Sequence, residues 1–182
     1  MGLKIETYKD VVLKDLLNDY RCTFHKHTCK LKTNYKKLPE FEIFFHEDGL
    51  PHLLGLHYVS TIKYASGIIK DIDSGKMTSK SIQKQPNFGE KDLRNRILLY
   101  PFLHDVFVDQ KLKICVPVEN MKPNPLRLSC VFTELRGKEE VILGLRKDKT
   151  DGMFKPTTLH SNKHLKYTKM KPSKIEEIEW VS

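Results

Sequence analysis

At 182 residues the chain suits one domain, or one domain with a short extension. Its 39% apolar and 30% charged residues exclude a disordered chain, and no apolar run reaches the roughly 18 residues that span a bilayer. Lys and Arg outnumber Asp and Glu by 32 to 23, a net charge of +9 that favours a polyanionic partner, nucleic acid foremost.

The opening MGLKIETYKD lacks the apolar core and small-residue cleavage site of a secretory signal. Four scattered cysteines then fit reduced thiols in a cytoplasmic setting. Val12, Leu13, Leu16, Leu17 and Tyr20 recur at helical spacing and predict an amphipathic helix, an N-terminal extension over residues 1–21 ahead of a main domain over 22–182. Cys22, His25, His27 and Cys29 crowd together as zinc ligands do. Structural zinc sites, however, separate their ligand pairs by a longer loop, and the alternation through Thr28–Lys32 predicts a strand, so no metal is expected.

Residues 29–35 and 41–46 form the arms of a predicted hairpin. In the stretch FEIFFHEDGLPHLLGLHY, Phe41, Ile43 and Phe45 share a strand face, Gly49 turns the chain, and Pro51-His52 opens a helix. His52 in a first helical turn would be held neutral by the positive dipole end and so serve as a base. Ile62, Ala65, Ile69 and Ile72 predict a second helix ending near Ser74-Gly75; Met77–Phe88 reads as a short helix plus loop. Asp92–Phe107 is helical with a break at Pro101, and His104 falls on its surface. Arg94, Arg96 and His104 invite comparison with the HEPN nucleases, in which four to six residues separate Arg from His. The gaps here are nine and seven, and the match fails.

From Leu112 onward the pattern turns to β. Val116–Val118, Leu126–Leu135 and Glu140–Lys147 predict antiparallel strands, with a turn at 136–139; Phe154–His160 follows as an edge or irregular strand because of Pro156. The tail is rich in lysine and ends in an acidic run at Glu176–Glu179. The order predicts an α+β domain, its N-terminal helix and helical middle packed on an antiparallel sheet.

Along Val141–Lys147, Ile142, Gly144 and Arg146 share one face, while Val141, Leu143, Leu145 and Lys147 share the core face. Gly144 would leave room for a ligand backbone beside the forked donor of Arg146. Pro156, Thr158 and His160 share a face of the next strand, offering Thr158 to a phosphate oxygen and His160 as a proton shuttle. Lys155, Lys163, Lys166, Lys169 and Lys171 are candidate backbone contacts. These groups suffice for RNA cleavage without metal or cofactor. A neutral His takes the 2′-hydroxyl proton, the oxygen attacks phosphorus, Arg146 or Lys147 stabilises the charge, and a second donor protonates the 5′-oxygen. A catalytically inactive nucleic-acid-binding or anti-defence module, or an interaction domain facing an acidic partner, would use the same basic surface.

Phe45-x4-Leu50-Pro-His52-Leu-Leu-Gly55-Leu, Leu143-Gly-Leu-Arg-Lys147, Phe154-Lys-Pro156-Thr-Thr158 and the Lys-rich Tyr167–Ile178 together resemble the phage-associated barnase–EndoU–colicin–RelE-like nuclease family (PBECR). The resemblance covers about residues 20–180 and implies the compact BECR fold, a predicted endoribonuclease of phage, toxin or mobile-element type, and tRNA or mRNA as substrate. It also implies a bacterial or phage-infected host cytoplasm and, in a toxin pair, an antitoxin or immunity protein. The family's His falls on His52, its Ser/Thr on Thr158 and its basic residue on Arg146 or Lys147. Thr158 stands where many members have Ser, and Leu50-Pro51 where an aromatic residue is common.

Overall fold

The computed structural model describes residues 3–181; among them are seven α-helices and seven strands. Strands β1 (Thr28–Thr33), β2 (Glu40–Phe44), β3 (Ile114–Pro117), β4 (Cys130–Arg136), β5 (Glu139–Lys147), β6 (Phe154–Asn162) and β7 (Ser173–Val181) close a barrel in the order β1-β2-β6-β5-β4-β3-β7. Every pairing is antiparallel except β2 with β6, a short parallel seam at Ile43 and Phe154. The α+β class matches expectation. Closure of the sheet does not follow from the separate strand patterns, because it depends on β7.

That strand is the acidic tail, a segment with no strand signal strong enough to predict one. It pairs with β1 on one side and β3 on the other. In β1, Cys29 and Leu31 point inward, leaving Lys30 and Lys32 outside, where they face Glu179 and Glu177 of β7 and Glu42 and Glu40 of β2. Lys32 pairs with Glu177, and Lys30 with Glu40 at 2.8 Å. Opposite charges across strands thus mark the register, while the inward residues fill the core.

The helices supply the rest of that core. α1 (Leu13–Thr23) buries Leu16, Leu17 and Tyr20 completely, and its Arg21 makes a forked pair with Asp73 at 2.8 and 2.9 Å and a bond to Glu47 at 2.7 Å. α2 (Gly49–Leu53) is only five residues long and begins two residues before Pro51. His52 is therefore in its last turn, exposed, and the helix-start argument for a neutral His52 does not hold. α3 (Ala65–Asp73) ends at Gly75, which takes a left-handed φ of +76°. α4 (Ser79–Gln83) and α5 (Asn87–Glu90) replace the single short helix expected there. α6 (Leu93–Leu98) and α7 (Pro101–Phe107) are divided where Pro101 is expected to break the chain. No helix among the described residues is long and apolar enough to cross a membrane.

His104 is not on the surface. It is 6% exposed, its Nε2 lies 2.7 Å from Asp19 Oδ2, and the Tyr100 hydroxyl donates to the same oxygen at 2.6 Å. Burial opposes charge on Asp19, but the bonds from His104 and Tyr100 outweigh it and hold that carboxyl below its ordinary range. Apolar spacing is enough to predict α7; the position of α1 against it makes His104 an inner residue.

A second, smaller apolar cluster lies on the other face of β3–β5, where Val116, Leu128, Val131, Ile142 and Tyr167 pack together. The segment around Tyr167 is held down by Glu140, fully buried, whose carboxylate accepts the N–H groups of Tyr167 (3.1 Å) and Thr168 (2.8 Å) and the Thr168 hydroxyl (2.6 Å). Both faces of β5 are thus covered along most of its length, and Ile142 is as buried as the residues of the predicted core face.

Candidate functional site

Where β5 and β6 reach the end of the barrel, the ladder slips. Gly144 pairs with Thr158 but Leu145 pairs with Pro156, so Thr157 is the extra residue of a bulge. Pro156, which cannot donate to a ladder, sits beside this slip in a strand flanked on both sides, which makes the strand irregular but not an edge. The bulge opens β6 toward α2, α6 and the 119–129 loop, and a cleft of about 1520 Å³ lies between them.

His52, Arg146, Lys147, Thr158 and His160, drawn from three distant stretches of sequence, all line this cleft. His52 is exposed on α2; Arg146 and Lys147 are both exposed at the end of β5, so the predicted division of these two between outer and core faces does not apply. Thr158 is 6% exposed, and its Oγ1 lies 3.0 Å from His160 Nδ1. Among the described residues no bond occupies the Nε2 of His160, and the atom is not sealed from solvent. Burial, then the nearby charge of Arg96, push the His160 imidazole down to about 4 against a smaller opposing pull from Glu140. At neutral pH this ring is a free base.

Gly144 does not leave room for a ligand. A Cβ there would lie 2.7 Å from Leu128 Cδ1 and 2.8 Å from Thr158 Cγ2, so those two side chains already fill the space. Leu128 is held in turn by Asn124, which accepts its N–H at 2.9 Å and donates to its carbonyl at 2.8 Å.

Of the lysines expected to meet the nucleic-acid backbone, Lys155 lines the cleft but is engaged by Asp148 at 2.6 Å and Asp151 at 3.1 Å. Lys163, Lys166, Lys169 and Lys171 are exposed outside it, on the segment clamped by Glu140. Lys166 donates to the Pro123 carbonyl at 3.3 Å, which sets that segment beside the loop forming one cleft wall. Cys22, His25, His27 and Cys29 do not converge: Cys29 is buried in β1, His25 Nδ1 accepts the Glu47 N–H, and His27 and Cys22 are exposed.

Several lining residues have no motif to mark them in the sequence. Arg96 draws notice there only through its spacing to His104, although its place between Leu93 and Ile97 puts a cation on the apolar side of a helix. His57, Tyr58, Arg127 and Lys149 also face the cleft. His57 is half-buried with its Nδ1 enclosed and unbonded; burial first, then the charges of His52 and Arg96, lower its pKa against the Pro51 carbonyl beside it. Cations dominate the walls, with Arg96, Arg127, Arg146, Lys147, Lys149 and Lys155 against Glu119 and Asp148.

A cation-lined cleft set at the end of a closed barrel, with helices around it, marks an α+β protein whose charge suits a polyanion. The particular lineage follows from comparison. The model of the phage-Barnase-EndoU-ColicinE5/D-RelE like nuclease4 family, PBECR4, matches residues 12–178, and the chain belongs to this nuclease family. Neither a curated protein nor a solved structure matches it.

Proposed function

We propose that the protein is an endoribonuclease that cleaves RNA without a metal, by attack of a 2′-hydroxyl on the adjacent phosphate. The observation that supports it is the gathering of His52, His160, Thr158, Arg146 and Lys147 around one cation-lined cleft in a member of a nuclease family. His160, neutral and fixed through Nδ1 by Thr158, takes the 2′-hydroxyl proton on its free Nε2. Thr158 is a positioning residue in this scheme, since its hydroxyl is engaged with the ring. His52, exposed on the α2 wall, donates the proton that the 5′-oxygen needs to leave. Arg146, with Lys147 beside it, offsets charge growing on the phosphoryl oxygens. The products are a 2′,3′-cyclic phosphate and a 5′-hydroxyl. The exposed Lys163, Lys166, Lys169 and Lys171 extend the basic surface for the flanking backbone.

Cellular tRNA or mRNA is the substrate in this reading. In the cytoplasm of a bacterium or phage-infected cell such cleavage is toxic unless an antitoxin or immunity protein covers the cleft. The test is cleavage of total tRNA and mRNA in EDTA, beside the DNA of the same sequence. RNA cut to cyclic-phosphate ends with DNA untouched is the expected result. Equal cleavage of DNA, which has no 2′-hydroxyl, or loss of activity in EDTA overturns the mechanism; RNA binding without cleavage overturns the enzyme.

A further inference from the structure

Among the cleft cations that form no ion pair within the described residues, Arg127, Arg146, Lys147 and Lys149 are exposed and Arg96 is drawn inward. It is half-buried on α6 and, among the described residues, forms no ion pair. Among the described residues its guanidinium makes one long hydrogen bond, from Nη1 to the Leu159 carbonyl at 3.4 Å, and its guanidinium carbon stands 5.9 Å from the Tyr58 ring centre. An arginine stays protonated, and burial opposes its charge here more than the nearby Tyr58 and Asp92 support it, so the guanidinium is costly until an anion meets it. Its stem is guided into this position. A Cβ on Gly55 would lie 3.0 Å from Arg96 Cδ, and Gly55 takes a φ of +74°, so the turn after α2 suits glycine on both counts. The Leu159 contact sets the guanidinium next to His160, the following residue of β6.

We propose that Arg96 is a further phosphate-binding residue of the cleft, holding the phosphate of a ribonucleotide beside His160. The fork presents two parallel N–H donors to two phosphoryl oxygens, a geometry that a lysine does not reproduce. In turnover the anion is the scissile phosphodiester; the terminal phosphate of a nucleoside 3′-monophosphate offers the same oxygens. The catalytic half of this assignment rests on the endoribonuclease reading, while the binding half does not.

Two measurements separate them: titration of the full chain with uridine 3′-monophosphate by calorimetry, and steady-state cleavage of a short RNA. Arg96→Met keeps the aliphatic stem; Arg94→Met, on the exposed side of the same helix over Tyr8, is the control for loss of one positive charge. Arg96→Met is expected to weaken nucleotide binding at least about tenfold and to lower the cleavage rate by about 10²–10³-fold, with kcat falling more than KM rises. Arg96→Lys should recover part of the binding and little of the rate, and Arg94→Met should match the parent in both. Wild-type affinity in Arg96→Met, or an equal loss in Arg94→Met, overturns the assignment. Should Arg96→Met fail to fold, Arg96→Lys decides, because unchanged affinity and rate there exclude a forked site. A parent that cuts no RNA but binds the nucleotide through Arg96 overturns only the nuclease reading; one that does not bind the nucleotide overturns the site.

Discussion

Gly144 of β5 lies directly opposite Thr158 of β6, and the space a side chain on the glycine would need is taken by Leu128 and by Thr158 Cγ2, the threonine hydroxyl lying 3.0 Å from His160 Nδ1. The strand pair therefore orients the His160 ring through a packing contact. Gly144→Ala must drive a methyl against two side chains at under 3 Å, one of them held by the Asn124 loop. Overpacking of this kind costs about 1–3 kcal/mol. The variant should melt earlier, and because Thr158 must move, cleavage should fall even at temperatures where the fold is intact. Urea titration together with cleavage at 20 °C measures both; an unchanged rate in a folded protein would separate Gly144 from the site.

The pH profile tests His160 as the base. With His160 as base, its pKa of about 4, set by burial and Arg96 against the pull of Glu140, puts the acidic limb of kcat/KM near pH 4. A limb well above pH 4 would take the role of base away from His160. In Arg96→Met the limb should move upward, since one of the charges opposing protonation is gone.

Stability follows the same group. The folded state disfavours a proton on His160 that the unfolded chain accepts below about pH 6.5, so stability is unaffected above that value and declines as pH falls toward 4. The loss is on the order of 3 kcal/mol at most. His160→Gln should flatten this part of the curve, which denaturant titrations at pH 7, 5.5 and 4.5 would reveal.

His104→Ala removes one of the two donors that hold the carboxylate of Asp19 between α1 and α7. A destabilisation of about 1–3 kcal/mol is expected, with cleavage intact below the melting transition, because His104 does not line the cleft. Calorimetry and an RNase assay settle it; a thermally silent variant would contradict the buried pair.

The Glu140 clamp gives a prediction for binding. Glu140→Ala leaves the N–H groups of Tyr167 and Thr168 without their acceptor and frees the segment carrying Lys163, Lys166 and Lys169. RNA affinity should drop, and replacing those lysines by glutamine should reduce the slope of log K against log salt by about one for each phosphate that is no longer neutralised. A slope unchanged in the lysine variant would remove this segment from the interface.

Much of this protein is legible in its sequence because local rules dominate there. The spacing of Leu13, Leu16, Leu17 and Tyr20, the split at Pro101, the alternation in β1 and the turn at 136–139 each depend on residues a few positions apart, and the structure follows them. Five candidate site residues chosen from their chemistry also arrive in one cleft. What sequence leaves open depends on contacts between distant segments. The acidic tail becomes a strand because β1 offers it lysines, and that pairing closes the barrel. His104 turns inward because α1 lies against it. His52 lies late in a short helix because α2 starts at Gly49, which removes the dipole argument and leaves burial to make His160 the neutral ring. Arg96 is half-buried and held by no ion pair among the described residues, which no spacing in the sequence indicates. Which titratable group is desolvated, and by what, is a property of packing between elements, and only the tertiary structure decides it.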